Sequence, residues 1–234
     1  MTLHYHGTPL TPRVRLLELA GRSFCVPWSD GRDVEVCHEI GQSVMLDNGA
    51  FSFWKTGKAT DWPGFYNWAE PWLDHATTWA VIPDVIDGTE EENNELVHAW
   101  PYGFSKGAPV WHMHEDIDRL LRLCDWGWEK VCIGSSGEYA IVGDDPWRRR
   151  MDDAMNRLCG NGPPPVWLHM LRGMALAGSE YPFASVDSTD IARNHNRPQN
   201  TVRGMADRWD ARQCPGRWRV RYPHDQLLLE EDVA

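Results

Sequence analysis

The chain has 234 residues, of which 42% are hydrophobic and 24% charged, and its formal net charge is -11. This composition is typical of a globular protein and excludes a disordered, collagen-like or coiled-coil chain. No apolar run approaches the ~18 residues that a membrane-spanning helix needs, so a membrane protein is not expected. The length suits one large domain or two small ones.

The six cysteines indicate a reducing compartment. None lies in a C-x-x-C pair, and they lack the dense spacing of a secreted disulfide scaffold. Cys25 and Cys132 stand inside apolar runs, which predicts buried free thiols. The first ten residues show no cationic and apolar signal segment. We therefore expect a cytoplasmic protein.

Eight short apolar segments, each closing on a polar residue, predict β-strands. In chain order they cover 3–6, 23–26, 43–47, 79–84, 110–114, 130–135, 166–169 and 183–187. Helical patterns lie between most of them, at 11–20, 33–40, 61–73, 89–99, 116–125 and 146–159. This alternation predicts an α/β fold, a single compact TIM-like (β/α)8 barrel. An open doubly wound sheet is the alternative.

The C-terminal part of the chain differs in charge from the rest. From 187 to 222 there are eight arginines and four aspartates, a local balance of +4 in an otherwise acidic protein. This segment could contact a polyanion, or it could be a solvated face. We assign 1–222 to the barrel domain, with an Arg-rich segment at about 190–222, and 223–234 to an acidic tail.

Catalytic groups of a (β/α)8 barrel lie at the carboxyl ends of its strands. The predicted strand ends carry, in order, His6, Trp28, Asp47, Asp84, His114, Ser135, His169 and Asp187. Asp47, Asp84 and Asp187 would then meet at one mouth. Carboxylates held together raise one another's pKa, which suits a nucleophile working beside a general acid/base. After the sixth strand, Gly134, Ser135, Ser136 and Gly137 form a small-residue loop whose amides could approach a flat ligand or an anion.

Several segments resemble those of tRNA-guanine transglycosylases. Residues 46–52, Leu-Asp-Asn-Gly-Ala-Phe-Ser, are similar to that family's Asp-Ser-Gly-Gly-Phe-Gln segment. Residues 183–194, with Val-Asp-Ser-Thr and a terminal Ala-Arg-Asn, resemble its nucleophile segment. Residues 133–138 stand at its Gly-Gly-Leu-Ala-Val-Gly-Glu loop, and 169–171 at a leucine-glycine strand end. The order is kept from about 40 to 197, and the short form looks most like the small phage and bacterial relatives that insert 7-deazaguanines into DNA (the DpdA family).

The resemblance implies a base-exchange reaction and a role for each matching residue. Asp187 would be the nucleophile that forms a covalent glycosyl-enzyme, with Asp190 as the alternative, and Asp47 the general acid/base. The incoming base would be a 7-deazaguanine such as 7-cyano-7-deazaguanine (preQ0), with no cofactor. Residues expected to bind the base are Asp84, His114, Gly134, Ser135, Ser136, His169 and Phe51, where an aromatic ring can stack on a base.

One departure from the family bears on the substrate. The tRNA enzymes carry three closely spaced cysteines and a histidine near the C-terminus, whereas this region offers only Cys159 and Cys214, so no metal site is expected. This favours DNA over tRNA, with a helper subunit or ATPase as a further partner, in a bacterial or phage-infected cytoplasm. A base in duplex DNA must leave the stack before it can react. The residues expected to hold the backbone are Arg193, Arg197, Arg203 and Arg208.

Two other functions fit parts of the pattern. His4, His6, His114, His169 and Asp187 resemble the ligand pattern of amidohydrolase barrels, although strand four ends in Asp84 instead of the lysine those enzymes carry. The second alternative is a barrel that binds a nucleobase or nucleic acid without turning it over.

Overall fold

The computed structural model describes residues 1–222, and the predicted acidic tail lies outside the described residues. Nine strands form one parallel sheet. They are β1 (Leu3–Gly7), β2 (Ser23–Pro27), β3 (Ser43–Asp47), β4 (Thr78–Val81), β5 (Gly107–Ala108), β6 (Val110–His112), β7 (Lys130–Gly134), β8 (Trp167–Met170) and β9 (Ser185–Ser188). Strands that are consecutive in the chain pair in parallel, except β5 with β6, and β9 returns to pair with β1.

The sheet forms a nearly closed barrel, and a single proline separates the two strands at its edges. β5 pairs with β4 and β6 pairs with β7, and only Pro109 separates β5 from β6. Proline has no N–H and interrupts the ladder, but the Pro109 carbonyl still accepts a hydrogen bond from Cys132 N at 2.8 Å. Together β5 and β6 therefore take the place of one strand, and the prediction of a TIM-like α/β barrel is confirmed.

Helices surround the barrel in the order expected of alternating strands and helices. They are α1 (Val34–Ile40), α2 (Ala50–Thr56), α3 (Trp62–Leu73), α4 (Glu90–His98), α5 (Ile117–Asp125), α6 (Asp145–Cys159), α7 (Asp190–Asn194) and α8 (Val202–Asp210). The predicted helix at 11–20 is a 3-10 helix at Arg13–Leu19, and a 3-10 turn at Met174–Leu176 lies between β8 and β9. The sequence patterns missed α2, α7 and α8. In the part of the chain that the structure describes, no helix has the length and apolarity needed to cross a membrane.

The start of α4 shows how local chemistry sets a boundary. Thr89 Oγ1 accepts a hydrogen bond from Glu92 N at 3.2 Å, and Glu92 Oε2 accepts one from Thr89 N at 2.8 Å. This reciprocal pair satisfies two backbone donors that a helix leaves free at its first turn. It fixes the position of the loop after β4, which carries Asp84.

Strand residues alternate between the barrel interior and the layer under the helices, and both faces are buried as in other parallel sheets. The interior holds Tyr5, Cys25, Met45, Trp79, Val81, Ala108, Val110 and Cys132. Trp79 Nε1 donates to the Tyr5 hydroxyl at 2.9 Å, so the polar atoms of these rings are satisfied. Cys25 and Cys132 are buried free thiols, as predicted, and the other four cysteines are also free.

Alternation along β1 turns its two histidines away from the barrel interior. Tyr5 points inward, whereas His6 Nε2 lies 3.1 Å and His4 Nδ1 3.6 Å from Asp210 Oδ1 in α8. Arg22 pairs with Asp210 as well. These contacts dock α8 against β1, so the prediction that His6 contributes to a pocket at the strand ends is wrong.

The Arg-rich segment divides between the two ends of the barrel. Arg193 and Arg197 follow the carboxyl end of β9, and the side chain of Arg208 on α8 reaches back to Asn200 Oδ1 at 3.2 Å. Residues 211–222 lie at the opposite end, where Cys214 N donates to Thr2 Oγ1 and Trp218 N to Gly162 O. Only the first part of the Arg-rich segment therefore lies at the end of the barrel that carries the carboxyl ends of the strands.

A buried ion pair braces the loops that follow β4 and β6. Arg119 NH1 lies 2.6 Å from Glu115 Oε2, and both side chains are 1% exposed. Glu115 also accepts hydrogen bonds from His112 N at 2.8 Å and Asn93 Nδ2 at 3.1 Å. Asn93 Oδ1 in turn accepts from Val85 N. The network ties α5 to the segments that carry Asp84 and His112.

We expect Arg119→Met to destabilise the protein by about 3–5 kcal/mol, because it leaves Glu115 buried without its cation. Arg122→Met on the same helix removes an exposed pair with Glu90 and should cost at most about 1 kcal/mol. Urea unfolding of both variants measures the difference. Equal losses of stability would show that the buried pair does not brace the fold.

Candidate active site

One pocket opens at the carboxyl ends of the strands. It and its mouth hold about 530 Å³ of empty space. Its described lining residues are Met45, Asp47, Asn48, Ala50, Phe51, Val81, Asp84, Ile86, His112, Gly134, Ser135, Leu171, Arg172 and Asp187. The predicted convergence of Asp47, Asp84 and Asp187 is therefore seen in the structure. Apolar side chains form much of the remaining wall, a combination suited to a flat polar ring.

Asp187 is the last inward-facing residue of β9, and neighbouring groups contact one of its two carboxylate oxygens. Oδ1 accepts a hydrogen bond from Arg172 N at 2.6 Å and lies 3.3 Å from His169 Nε2. His169 is fully buried, and its Nδ1 is 2.8 Å from Ser185 Oγ. Within residues 1–222, Oδ2 of Asp187 makes no hydrogen bond. The carboxylate is thus fixed in place while one oxygen still faces the pocket.

Asp47 is the last residue of β3, and its environment favours the protonated form. Burial raises the pKa of the Asp47 carboxyl to about 6, and the nearby charges of Asp187 and Asp84 act in the same direction. Gly49 N donates to Asp47 Oδ1 at 3.0 Å, which, with the charge of Arg172, opposes the rise in pKa. Asp47 can therefore change its protonation state near neutral pH.

Asp84 lies in the loop after β4, and two residues from other segments contact its carboxylate. Asn48 Nδ2 donates to Asp84 Oδ1 at 2.7 Å, and His112 Nε2 lies 3.0 Å from Asp84 Oδ2. Asn48 also donates to Ile82 O at 2.7 Å. Asp84 is 7% exposed, so these contacts keep a carboxylate in a mostly desolvated wall. The remaining lone pairs of its oxygens can accept from a ligand.

Arg172 lies in the pocket wall with its guanidinium over the ring of Phe51. Its guanidinium carbon is 4.2 Å from the centre of the Phe51 ring, and its NH2 group donates to Ser135 O at 2.9 Å. Arg172 has a φ of 58°, and among residues 1–222 it is the only residue other than glycine with a positive φ. This costly conformation turns its amide toward Asp187 and its side chain toward Phe51.

The end of β7 and the loop after it form another part of the pocket wall. Gly134 packs so tightly that a Cβ there would lie 3.1 Å from His112 Nδ1. Ser135 Oγ accepts from Trp147 Nε1 at 2.9 Å, and Ser136 Oγ lies 2.7 Å from His114 Nδ1. Gly134 and Ser135 are thus part of the pocket wall.

The predicted base-binding residues are placed in three ways. Phe51, Asp84, Gly134 and Ser135 line the pocket. His169 lies beneath it and contacts Asp187. His114 and Ser136 pair with each other outside the lining; His114 is exposed and stacks on His112 at 5.8 Å between ring centres. His112, Arg172, Asn48 and Leu171 are pocket residues to which the sequence analysis gave no role.

Asp190 does not reach the pocket. Its Oδ1 accepts from Asn194 Nδ2 at 2.6 Å, and its Oδ2 accepts from Trp209 Nε1 at 3.0 Å. Oδ1 thus makes a contact within α7, and Oδ2 joins α7 to α8. Of the two candidate nucleophiles that the sequence left open, the structure therefore places only Asp187 in the wall.

The arrangement also bears on the metal-dependent alternative. An amidohydrolase-like site needs His4 and His6 beside the other histidines, but both point outward to Asp210. No group of three or more His, Cys, Asp or Glu side chains with metal-binding geometry occurs within residues 1–222. The residue placement that this alternative requires is not met.

Comparisons with protein-family models, with curated proteins and with solved structures gave no match for this chain.

The raised pKa of Asp47 predicts a pH-dependent gain of stability in Asp47→Asn. Its pKa is 3.8 ordinarily and about 6 in the folded protein. Between these values the folded state binds more protons than the unfolded chain, so stability falls as pH rises through this window. Asparagine retains the oxygen that accepts from Gly49. We expect the variant to be more stable than the parent by roughly 1–3 kcal/mol at pH 7.

The measurement is urea unfolding of both proteins at pH 4 and pH 7. At pH 4 the advantage should largely disappear, because Asp47 is then mostly protonated in the folded protein. The same stability difference at both pH values would contradict a raised pKa.

Proposed function

We propose that the protein is a transglycosylase that exchanges guanine in a polynucleotide for a 7-deazaguanine. The observation that carries the proposal is the meeting of Asp47, Asp84 and Asp187 around one pocket with Phe51 in its wall. The resemblance of 46–52, 133–138 and 183–194 to tRNA-guanine transglycosylases gives the arrangement its chemical interpretation.

In the first half-reaction, Asp187 is assigned as the nucleophile. A lone pair of Oδ2 attacks C1′ of the target sugar, and the bond from C1′ to N9 breaks with its electron pair going to the departing guanine. Protonated Asp47 gives its proton to the base as it leaves. The contacts of Asp187 Oδ1 with Arg172 N and His169 Nε2 hold the carboxylate for attack. The product is a covalent glycosyl-enzyme.

In the second half-reaction, the roles reverse. Asp47 is now ionised and removes the N9 proton of the incoming 7-deazaguanine. The nitrogen lone pair forms the new bond to C1′, and the bond between the sugar and Asp187 breaks, which restores the free carboxylate. A pKa of about 6 suits Asp47 to both steps, because neither protonation state is costly near neutral pH.

Base recognition is assigned to the wall opposite the nucleophile. The free lone pairs of Asp84 accept N–H donors from the purine edge, and the backbone of Gly134 and Ser135 faces the base carbonyl. His112 takes the position that the sequence analysis gave to His114, because it lies in the wall 3.0 Å from Asp84. Phe51 supplies an aromatic face, and stacking on a base contributes about 1–3 kcal/mol.

DNA is the proposed polymer, since the cysteine cluster of the tRNA enzymes is missing from the sequence. Arg193, Arg197, Arg203 and Arg208 are exposed on α7, α8 and the loop between them, and we assign them to the phosphate backbone. A net charge of -11 opposes binding of a polyanion. A helper subunit or ATPase that presents the flipped base is therefore part of the proposal.

We expect Asp187→Asn to reduce guanine release by more than roughly 10⁴-fold, because an amide is a poor nucleophile. Asp47→Asn should lose about 10²–10⁴-fold, the usual contribution of general acid–base catalysis. Labelled guanine is followed as it leaves DNA in the presence of preQ0, and a denaturing gel tests for the covalent DNA adduct.

Asp190→Asn is the matched control, since its carboxylate is three residues from Asp187 but outside the pocket. It should retain exchange and the adduct. An adduct that persists in Asp187→Asn and disappears in Asp190→Asn would reassign the nucleophile. The proposal would be wrong if the protein released no guanine from single-stranded or duplex DNA even with candidate helper proteins added.

The two half-reactions should show opposite pH dependence. Guanine release needs protonated Asp47, so its single-turnover rate should fall as pH rises above about 6. Capture of the incoming base needs ionised Asp47 and should rise across the same range. Rapid-quench measurements from pH 5 to 8 test both, and Asp47→Asn should flatten both profiles. A release rate that climbs with pH would contradict the assigned role.

A further inference from the structure

Arg172 is unusual among the pocket residues because it brings positive charge to a wall that also holds three carboxylates. Of the described residues that line the pocket, it is the only arginine or lysine. Asp47, Asp84, Asp187 and His112 line the same pocket, and His169 lies beneath it in contact with Asp187. A polynucleotide that delivers a base to this pocket brings phosphate toward three carboxylates.

The guanidinium is held weakly for a group with five N–H donors. Its one hydrogen bond within residues 1–222 runs from NH2 to the neutral carbonyl of Ser135. Its other contact is the face of Phe51. The guanidinium forms no ion pair within the described part of the chain, although the charges of Asp187 and Asp47 attract it from a longer distance. Its charge is thus available to an anion at the pocket mouth, where the residue is exposed.

The position of the guanidinium also conflicts with stacking of a base on Phe51. At 4.2 Å between the guanidinium carbon and the ring centre, there is no space for a second flat group between them. A base that stacks on the face of Phe51 covered by Arg172 must therefore displace the guanidinium. The backbone of Arg172 stays anchored through its N–H to Asp187, so only the side chain needs to move.

We propose that Arg172 is the phosphate-binding residue of this pocket. Its side chain moves away from Phe51, on which the base then stacks, and binds the phosphodiester next to the target nucleotide. This inference rests on the proposed function for its substrate class, a polynucleotide. Arginine suits the task because its planar fork matches two phosphate oxygens and its charge does not depend on pH near neutrality. The same side chain then distinguishes a nucleotide within a polymer from a free base.

The test compares binding of a polymer with binding of a free base, without turnover. A fluorescent single-stranded oligodeoxynucleotide with one guanine is titrated by anisotropy between about 50 and 200 mM salt, and free guanine is titrated by calorimetry. Arg172→Gln should weaken oligonucleotide binding by roughly tenfold and lower the salt slope by about 0.7. Its affinity for guanine should stay the same or increase, because Phe51 is uncovered.

Two further variants serve as controls. Arg172→Lys keeps the charge and should retain most of the oligonucleotide affinity. Arg217→Gln removes an exposed arginine at the opposite end of the barrel, where it donates to Asn161 O, and should have little effect. An oligoribonucleotide of the same sequence shows which polymer depends more on Arg172.

Two outcomes would overturn the assignment. One is oligonucleotide binding that is absent in the parent or equally weakened in Arg172→Gln and Arg217→Gln. The other is a loss of guanine affinity in Arg172→Gln as large as the loss for the polymer, since Arg172 would then hold the base. If the parent binds DNA through Arg172 but releases no guanine, the exchange reaction fails and the phosphate assignment stands.

Discussion

The pocket depends on holding three carboxylates close together in a mostly apolar wall. Mutual repulsion and the loss of water both oppose this arrangement, so each carboxylate needs its own compensation. Asp187 accepts a hydrogen bond from the Arg172 N–H and lies 3.3 Å from His169 Nε2. Asp84 accepts a hydrogen bond from Asn48 Nδ2 and lies 3.0 Å from His112 Nε2. Asp47 receives one backbone N–H, and its pKa is raised to about 6. Burial thus brings Asp47 into the range where its carboxyl gains and loses a proton near neutral pH.

The barrel supplies this compensation from several segments that are distant in sequence. Asp47 ends β3, the loop after β4 holds Asp84, and Asp187 lies on β9. The Glu115 and Arg119 pair fixes the backbone of His112 and, through Asn93, the loop beyond Asp84. Because these supports come from rigid elements around the ring, the side chains are held before any ligand binds, as a precise site requires.

Alternation and strand length explain which site residues could be predicted from the sequence. The strand at 43–47 was predicted with the bounds that the structure shows, so Asp47 was correctly placed at its end. β6 ends at His112, two residues earlier than predicted, which leaves His114 on the rim. His6 was misplaced because both faces of β1 are buried, and periodicity alone cannot tell which face is the interior.

Other features left no local signal to interpret. α2 follows Gly49, which has a φ of 78° and no side chain to cap a helix, and α7 has only five residues. Arg172 follows β8 in a conformation that sequence patterns assign to glycine. Its importance arises from contacts with Phe51, Ser135 and Asp187, which come from three other strands and their loops. The role of such a residue can be recognised only from the three-dimensional structure, which brings these distant segments together.

The distribution of arginines connects this pocket with the net charge of the whole protein. A polyanion approaching a chain of charge -11 is repelled at long range, and repulsion of this kind weakens as salt is added. In the proposed complex with DNA, positive groups therefore have to act locally, within about a Debye length of the strand. Arg193 and Arg197 lie beyond the carboxyl end of β9, on the side of Asp187, whereas residues 211–222 lie at the other end of the barrel. In the proposed reaction, Arg172 and the start of the Arg-rich segment lie on the side of the barrel to which a strand delivers its base, whereas the arginines beyond α8 lie at the other end.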